Sequence, residues 1–214
     1  MGANYMVDEQ AIGARVKNSI IGIIKGTGEI TQAAVETVAS TVQGAIKETG
    51  ETGTAAGSVA VGAVKGAIGA VGDVGGLAAE TAADGVTAAV ESASKVGASV
   101  GNAAKGAVIG VVRGTSEAGT ETLQAIGDTS RSVVSEASSV GADITTAALG
   151  AVEGAIEAAK NTAVNVEEAA SAAATGAIEA AGEVSEAAAV RVRRSVEGTI
   201  QGVKVVAKTT LGKS

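Results

Sequence analysis

The chain has 214 residues, a formal net charge of −7, and no Pro, Cys, His, Phe or Trp. The absence of His and Cys removes the usual proton shuttle, the commonest metal ligand and any disulfide, so we expect no enzyme, no metal site and no cofactor. The acidic balance argues against nucleic-acid binding, and a hydrophobic fraction of 46%, mostly Ala and Val, predicts thin layers of closely approaching backbone.

The sequence divides into an N-terminal segment at 1–10, a single continuous repeat region at 11–208, and a C-terminal tail at 209–214. No part of it reads as a signal peptide. The longest run without a charged residue, 52–64, has 13 residues, whereas a membrane span needs about 20. We therefore expect an intracellular, cytoplasmic protein, with association with a membrane or another surface as the alternative.

The repeat region has a period of eleven residues, and bulky side chains recur every 22 residues. Written in rows of eleven from Ala11, it gives 18 rows without an insertion. One column, the isoleucine/valine column, consists of Ile24, Ile46, Ile68, Val90, Val112, Val134, Ile156, Ile178 and Ile200. A second bulky column lies four residues earlier, and glycine stands between the two columns in most rows, with Ala88 and Ser132 as the exceptions.

The spacing of apolar residues in the rows is 3, 4 and 4, which corresponds to 3.67 residues per turn. Charged residues concentrate on the opposite side, which is typical of an amphipathic helix with a narrow polar stripe. The sequence therefore predicts an all-α protein made of a long repeat helix or of several helices. A β-solenoid with 22-residue rungs is the alternative, because the V-x-G-x-I motif also alternates with a period of two.

The 31 glycines would destabilise an isolated helix, so close helix–helix packing has to compensate. Half a period from the bulky columns the same face becomes small, at residues such as Gly53 and Gly57. A neighbouring helix shifted by eleven residues, or running antiparallel, would place bulky residues such as Val42 and Ile46 against such hollows. The predicted helix-packing residues are Val42, Gly44, Ile46, Gly53, Gly57, Val64, Gly66, Ile68, Gly75, Val86, Val90, Gly97, Gly101, Val108, Gly110, Val112, Val152, Gly154, Ile156, Gly176, Ile178, Val196, Gly198 and Ile200.

The lack of Pro permits one continuous helix up to about 300 Å long. Glycine-rich stretches at 49–54, 72–76 and 116–122 are places where the chain can fold back instead. The sequence leaves both arrangements open, and it leaves the choice between parallel and antiparallel packing open as well.

Charge is distributed unevenly along the chain, with basic ends and an acidic middle. This distribution predicts that neighbouring copies attract each other when they are staggered or head-to-tail. The C-terminal cations are either solvated or contact an anionic partner, and they are Arg191, Arg193, Arg194, Lys204 and Lys208.

The rows include GAIEAAKNTAV, NVEEAASAAAT and GTIQGVKVVAKTT. Their pattern resembles the eleven-residue amphipathic helices of the synucleins, the perilipins and the late-embryogenesis-abundant proteins with eleven-residue motifs. The resemblance lies in the period and extends over most of the chain. It implies coating of lipid surfaces or protection on drying.

These observations favour a non-enzymatic structural protein whose Gly/Ala-faced helices pack with copies of itself, or with other helical subunits, as a bundle, tube or filament. An amphipathic coat on lipid or another apolar surface is one alternative. A protectant against drying or freezing is another.

Overall fold

A computed structural model describes residues 9–27, 36–44, 54–73, 78–95, 98–118 and 121–208. Its elements are α1 (Glu9–Thr27), α2 (36–44), α3 (Thr54–Asp73), α4 (Ala78–Lys95), α5 (Val100–Ala118), α6 (Thr122–Ser139), α7 (Ile144–Ala159), α8 (Val166–Val184), α9 (Glu186–Val196), β1 (Gly198–Ile200) and β2 (Val203–Val205). The all-α prediction is confirmed. The β-solenoid alternative is wrong, because the strands within the described residues form a single two-stranded hairpin.

From α4 to α8, helices begin every 22 residues, so one repeat corresponds to one helix and the connection that follows it. Helices α4, α6 and α8 begin at Ala78, Thr122 and Val166, which are 44 residues apart. The chain therefore folds back instead of continuing as one long helix, and a predicted fold-back point at 72–76 separates the end of α3 at Asp73 from α4. Helix and turn lengths add up to the period, so the eleven-residue phase continues through the turns.

The turn between α6 and α7 illustrates how these reversals are specified. Gly141 has a φ of +69°. The amide of Ala142 donates to the carbonyl of Ala137 at 2.7 Å. Together they form the pattern that ends a helix with a left-handed residue. Asp143 then accepts hydrogen bonds from the amides of Thr145 and Thr146, and so begins α7.

The helices form two layers. In the first layer α1, α3, α5 and α7 lie side by side, and in the second layer α2, α4, α6 and α8 do the same. Consecutive helices alternate between the layers, so neighbours within a layer are two helices apart in sequence. Helix α9 packs against α7 and α8, and β2 packs against α8. We call α9 and the hairpin, residues 186–208, the cap.

The core lies between the layers and contains the members of both bulky columns that lie in α3 to α8. In the isoleucine/valine column, Ile68, Val90, Val112, Val134 and Ile156 are completely buried. Every member of the second column is also completely buried, namely Ile20, Val42, Val64, Val86, Val108, Ser130, Val152, Ala174 and Val196. These small and medium side chains fill a thin core, as the composition predicts.

The helical prediction is wrong for residues 197–208. Gly198 and Ile200, which were predicted to pack helices, lie in the first strand of the hairpin. Positive φ angles at Gly198, Gln201 and Gly202 are incompatible with a continuing helix, and the β-branched residues of β2 favour a strand. The column spacing continues through this region although the backbone leaves the helical conformation.

Candidate functional site

Glycines bring the helices of the first layer into backbone contact. A Cβ atom added at Gly106 of α5 would collide with the carbonyl oxygen of Gly57 in α3. The same holds for Gly150 against the carbonyl oxygen of Gly101, and for Gly154 against that of Lys105. Because the oxygen lies where a side chain would begin, the Cα–H group of each glycine faces a carbonyl group of the neighbouring helix.

These contacts recur at fixed separations along the sequence. Gly106 follows Gly57 by 49 residues, and Gly150 follows Gly101 by the same number. Along α5 and α7, Gly101 faces Gly150 and, further along both helices, Lys105 faces Gly154, so the separation stays at 49 residues and the two helices run parallel. Gly62 and Gly66 of α3 likewise face Glu9 and Gly13 of α1, at a constant separation of 53 residues. This outcome answers the orientation question that the sequence leaves open.

Bulky side chains also enter glycine hollows, as predicted, but the partners differ from the expected ones. A Cβ at Gly110 would lie 3.0 Å from Cβ of Val64, and one at Gly114 would lie 3.0 Å from Cβ of Ile68. The predicted shift of eleven residues is wrong: Gly57 faces the carbonyl oxygen of Asn102 at 3.1 Å instead of the Val42 region. Packed neighbours are two repeats apart, because the intervening helix lies in the other layer.

The second layer contains fewer such contacts. Gly127 and Gly176 join α6 and α8 in the way described for the first layer. In contrast, nothing lies within 4 Å of a Cβ added at Gly44, and one added at Gly85 would be 3.9 Å from the nearest methyl groups. The predicted packing residues Ile46, Gly53, Gly75 and Gly97 lie outside the described residues.

Ion pairs connect parallel helices across their outer surfaces. Lys65 contacts Glu117 at 2.7 Å, and Lys105 contacts Glu157 at 2.7 Å. Arg131 of α6 contacts both Glu179 and Glu183 of α8. The charged residues of the predicted polar stripe therefore include regular links between helices, although exposed ion pairs contribute little stability individually.

The two layers carry very different net charges. The helices of the first layer contain six basic and five acidic residues, a net of +1. Those of the second layer contain two basic and ten acidic residues, a net of −8. The cap contains five basic and two acidic residues, a net of +3.

The C-terminal cations lie on the cap. Arg191, Arg194, Lys204 and Lys208 are exposed, whereas Arg193 is half-buried and contacts Glu197 at 3.0 Å. On α9, the exposed residues Val190, Arg191 and Arg194 share one side of the helix, and we call them the cap stripe. The opposite side is held against the body of the protein by Ala188, Val192 and Val196.

A surface groove runs between α6 and α8 next to the cap, and we call it the α6/α8 groove. It has a volume of about 330 Å³. Gly127 and Gly176 lie on its floor, since the close approach of the two helices leaves no side chains there. The charged side chains that line it are Asp128, Arg131, Glu168, Glu179 and Lys208, and Leu123 is its large apolar side chain.

A second groove of about 330 Å³ crosses α1, α3 and α5. Its charged lining includes Arg113, which contacts Glu9 at 2.9 Å, and Lys65, which contacts Glu117. Lys17 also lines the groove, so its charged residues have a net charge of +1.

One carboxyl group in the second layer titrates abnormally. Partial burial of Glu136 on α6 raises its pKa above the ordinary value of 4.5, and the nearby charge of Glu91 raises it further. Lys95 acts in the opposite direction. The raised pKa of Glu136 therefore reflects burial first and the nearby charge of Glu91 second.

The described residues contain no cluster of three or more acidic side chains arranged to hold a metal ion. In the part of the chain that the structure covers, no helix is both long and apolar enough to cross a membrane.

No family model and no curated protein matches this sequence. Among solved structures, the chain is similar to a de novo designed helical repeat protein, DHR7. The alignment covers 82% of this chain and 94% of the designed one, with 18% sequence identity and a TM-score of 0.43.

The difference in charge between the layers does not show in contiguous blocks of the sequence, because the layers are made of alternate helices. A sum over every second 22-residue repeat would have detected the difference. The glycine column carries a related signal, because its exceptions Ala88 and Ser132 both lie in the second layer.

Proposed function

We propose that this protein is a non-enzymatic structural protein, a helical building block that associates with further copies of itself or with other helical subunits. The building block is one chain folded into two layers of helices. Glycine contacts and the bulky columns are used within the chain, so the association relies on the outer surfaces.

The observation that supports this proposal is the segregation of charge. A net of −8 on the second layer and a net of +3 on the cap give one molecule two surfaces of opposite sign. Two copies therefore attract each other when the cap of one faces the second layer of the other, despite the overall charge of −7.

Sedimentation equilibrium without lipid, combined with electron microscopy, tests the proposal. We expect dimers and larger species at micromolar concentration and low ionic strength, with dissociation in 0.5 M NaCl because salt screens surface charges. A protein that stays monomeric at every concentration and salt level would contradict it.

Attachment to an anionic lipid surface is a second candidate, favoured by exposed valines beside arginines on the cap. A coat formed by the whole chain would require the bulky columns to leave the core. Circular dichroism with anionic vesicles separates the cases: a large gain in helicity indicates a whole-chain coat, and co-sedimentation without a gain indicates attachment through the cap. The absence of binding rejects both.

A further inference from the structure

We infer that the cap stripe of one copy docks into the α6/α8 groove of a second copy. This inference rests on the proposed self-association and specifies its contact surfaces. It combines two features of the described residues, a stripe that is both apolar and basic and a groove that is both apolar and acidic.

The cap stripe is suited to a protein partner. Val190 is 51% exposed and shares its side of α9 with Arg191 and Arg194. Within the described residues, Arg191 and Arg194 have no carboxylate within ion-pair distance. Two cations one turn of helix apart beside an apolar residue match a groove with the reverse charge.

The α6/α8 groove offers complementary groups. Leu123 is 37% exposed at the groove and provides an apolar surface. Asp128 and Glu168 are exposed, and no ion pair occupies them among the described residues, whereas Arg131 is already held by Glu179 and Glu183. The groove therefore presents two carboxylates and a leucine to the two guanidinium groups and the valine of the stripe, and Lys208, which also lines it, reduces this negative charge without reversing it. Arginine–carboxylate pairs allow bidentate hydrogen bonds, which fix the geometry of a contact.

The stripe does not contact the groove of its own chain, since α9 packs its opposite side against α7 and α8. A second copy is also favoured over an anionic bilayer. The groove and the acidic second layer adjoin the cap at Lys208, so a negatively charged surface that approached the cap would be repelled by that layer. The acidic layer of a second copy has the right charge, and it is present at the same concentration as the cap.

The contact is heterologous, because the stripe and the groove are different surfaces. Each copy then has one free stripe and one free groove, so association continues into chains or closes into rings. A filament is the open form of such an assembly, and a ring is its closed form.

Charge-swap variants test the inference by sedimentation equilibrium at low ionic strength. The cap variant combines Arg191→Glu and Arg194→Glu, and the groove variant combines Asp128→Lys and Glu168→Lys. We expect each variant to associate with itself at least tenfold more weakly than the wild-type protein. A mixture of the two variants should associate again, and so should a single chain that carries all four substitutions, because the charges are then reversed on both sides.

Two controls each reverse a single charge of the same sign elsewhere in the chain, which is half of the charge change in the double variants. Arg15→Glu changes an exposed arginine of α1, and Asp84→Lys changes a carboxylate of α4 in the second layer. We expect both controls to associate within about threefold of wild type, and far-UV circular dichroism verifies that every variant is folded.

The outcomes distinguish this inference from the proposed function. If the wild-type protein associates and the cap and groove variants associate equally well, the inference is wrong and the proposed function stands. If the wild-type protein is monomeric, both fail. If it is monomeric and binds vesicles of anionic lipid in a way that the cap variant loses, the cap is a lipid-binding surface instead.

Discussion

The two layers arise from the same 22-residue repeat, yet they pack their helices differently. In the first layer, glycines place the backbones of α3, α5 and α7 in direct contact. In the second layer, direct contact of this kind is found between α6 and α8, while Gly85 of α4 has ordinary van der Waals neighbours. The charge differs as well, with a net of +1 on the first layer and −8 on the second.

A glycine that recurs at the same position of the repeat does not have the same role in every helix. At Gly66, Gly110 and Gly154, all in the first layer, an added Cβ would collide with a neighbouring backbone. The equivalent positions in the second layer are Gly44, Ala88, Ser132 and Gly176. This position holds Ala in α4 and Ser in α6, whereas Gly176 of α8 is in backbone contact with Gly127, so the need for glycine depends on the local distance between neighbouring helices.

Replacement of a contact glycine in the first layer should have the largest effect. We expect Gly106→Ala to lower the free energy of unfolding by about 3 kcal/mol, because the new Cβ collides with the rigid carbonyl group of Gly57. Urea unfolding followed by far-UV circular dichroism measures the change. An unchanged midpoint would mean that the helices of this layer are further apart than described.

A buried glycine of the second layer provides the matched comparison. We expect Gly85→Ala to raise the free energy of unfolding by up to about 1 kcal/mol, since alanine favours the helix and the new Cβ lies 3.9 Å from methyl groups of Val38 and Val64. The same urea titration applies. If both alanine variants lose stability equally, the proposed difference in packing between the layers is wrong.

The sequence predicted the helices and the core because both follow from local periodicity. Val64, Ile68, Val86 and Val90 are buried, as their spacing indicates. The partners of the glycines could not be predicted, because the separation of 49 residues depends on turn length and on the alternation between layers. The hairpin could not be predicted from the period, because Gly198 and Ile200 keep the spacing of the columns although their backbone forms a strand.

The buried hydroxyl groups offer a finer test of packing in the second layer. Thr129 of α6 is completely buried, and its hydroxyl has no hydrogen-bond partner within the described part of the chain. We expect Thr129→Val to raise the free energy of unfolding by about 1 kcal/mol, because it removes an unsatisfied polar atom at nearly constant volume.

Thr115 of α5 in the first layer is the control for this substitution. Its buried hydroxyl donates to the carbonyl of Val111 at 2.7 Å. We expect Thr115→Val to lower the free energy of unfolding by about 0.5 kcal/mol. If Thr129→Val and Thr115→Val change the free energy of unfolding equally in thermal or urea unfolding, the two hydroxyl groups do not differ in hydrogen bonding as described.

The smallest expected effect concerns the acidic surface of the second layer. Because the pKa of Glu136 is raised in the folded protein, the folded state holds the proton more tightly than the unfolded chain does, and stability falls as the pH rises through the range above 4.5. We expect Glu136→Gln to raise the free energy of unfolding by roughly a few tenths of a kcal/mol at pH 7, since the side chain is only half-buried.

The pH dependence identifies the cause of this effect. The gain should disappear at pH 3, where Glu136 is protonated in both states. Urea titrations of both proteins at pH 3 and pH 7 make the comparison. A gain of the same size at both values would point to a change in packing instead of charge.

The regular register of the contacts constrains how this chain can vary in length during evolution. An insertion or deletion of 44 residues adds or removes one helix from each layer, and every remaining glycine still faces a carbonyl group. A change of 22 residues moves all later helices to the opposite layer, reverses their direction, and exchanges acidic surfaces for basic ones. We therefore expect changes in length by helix pairs to preserve the packing.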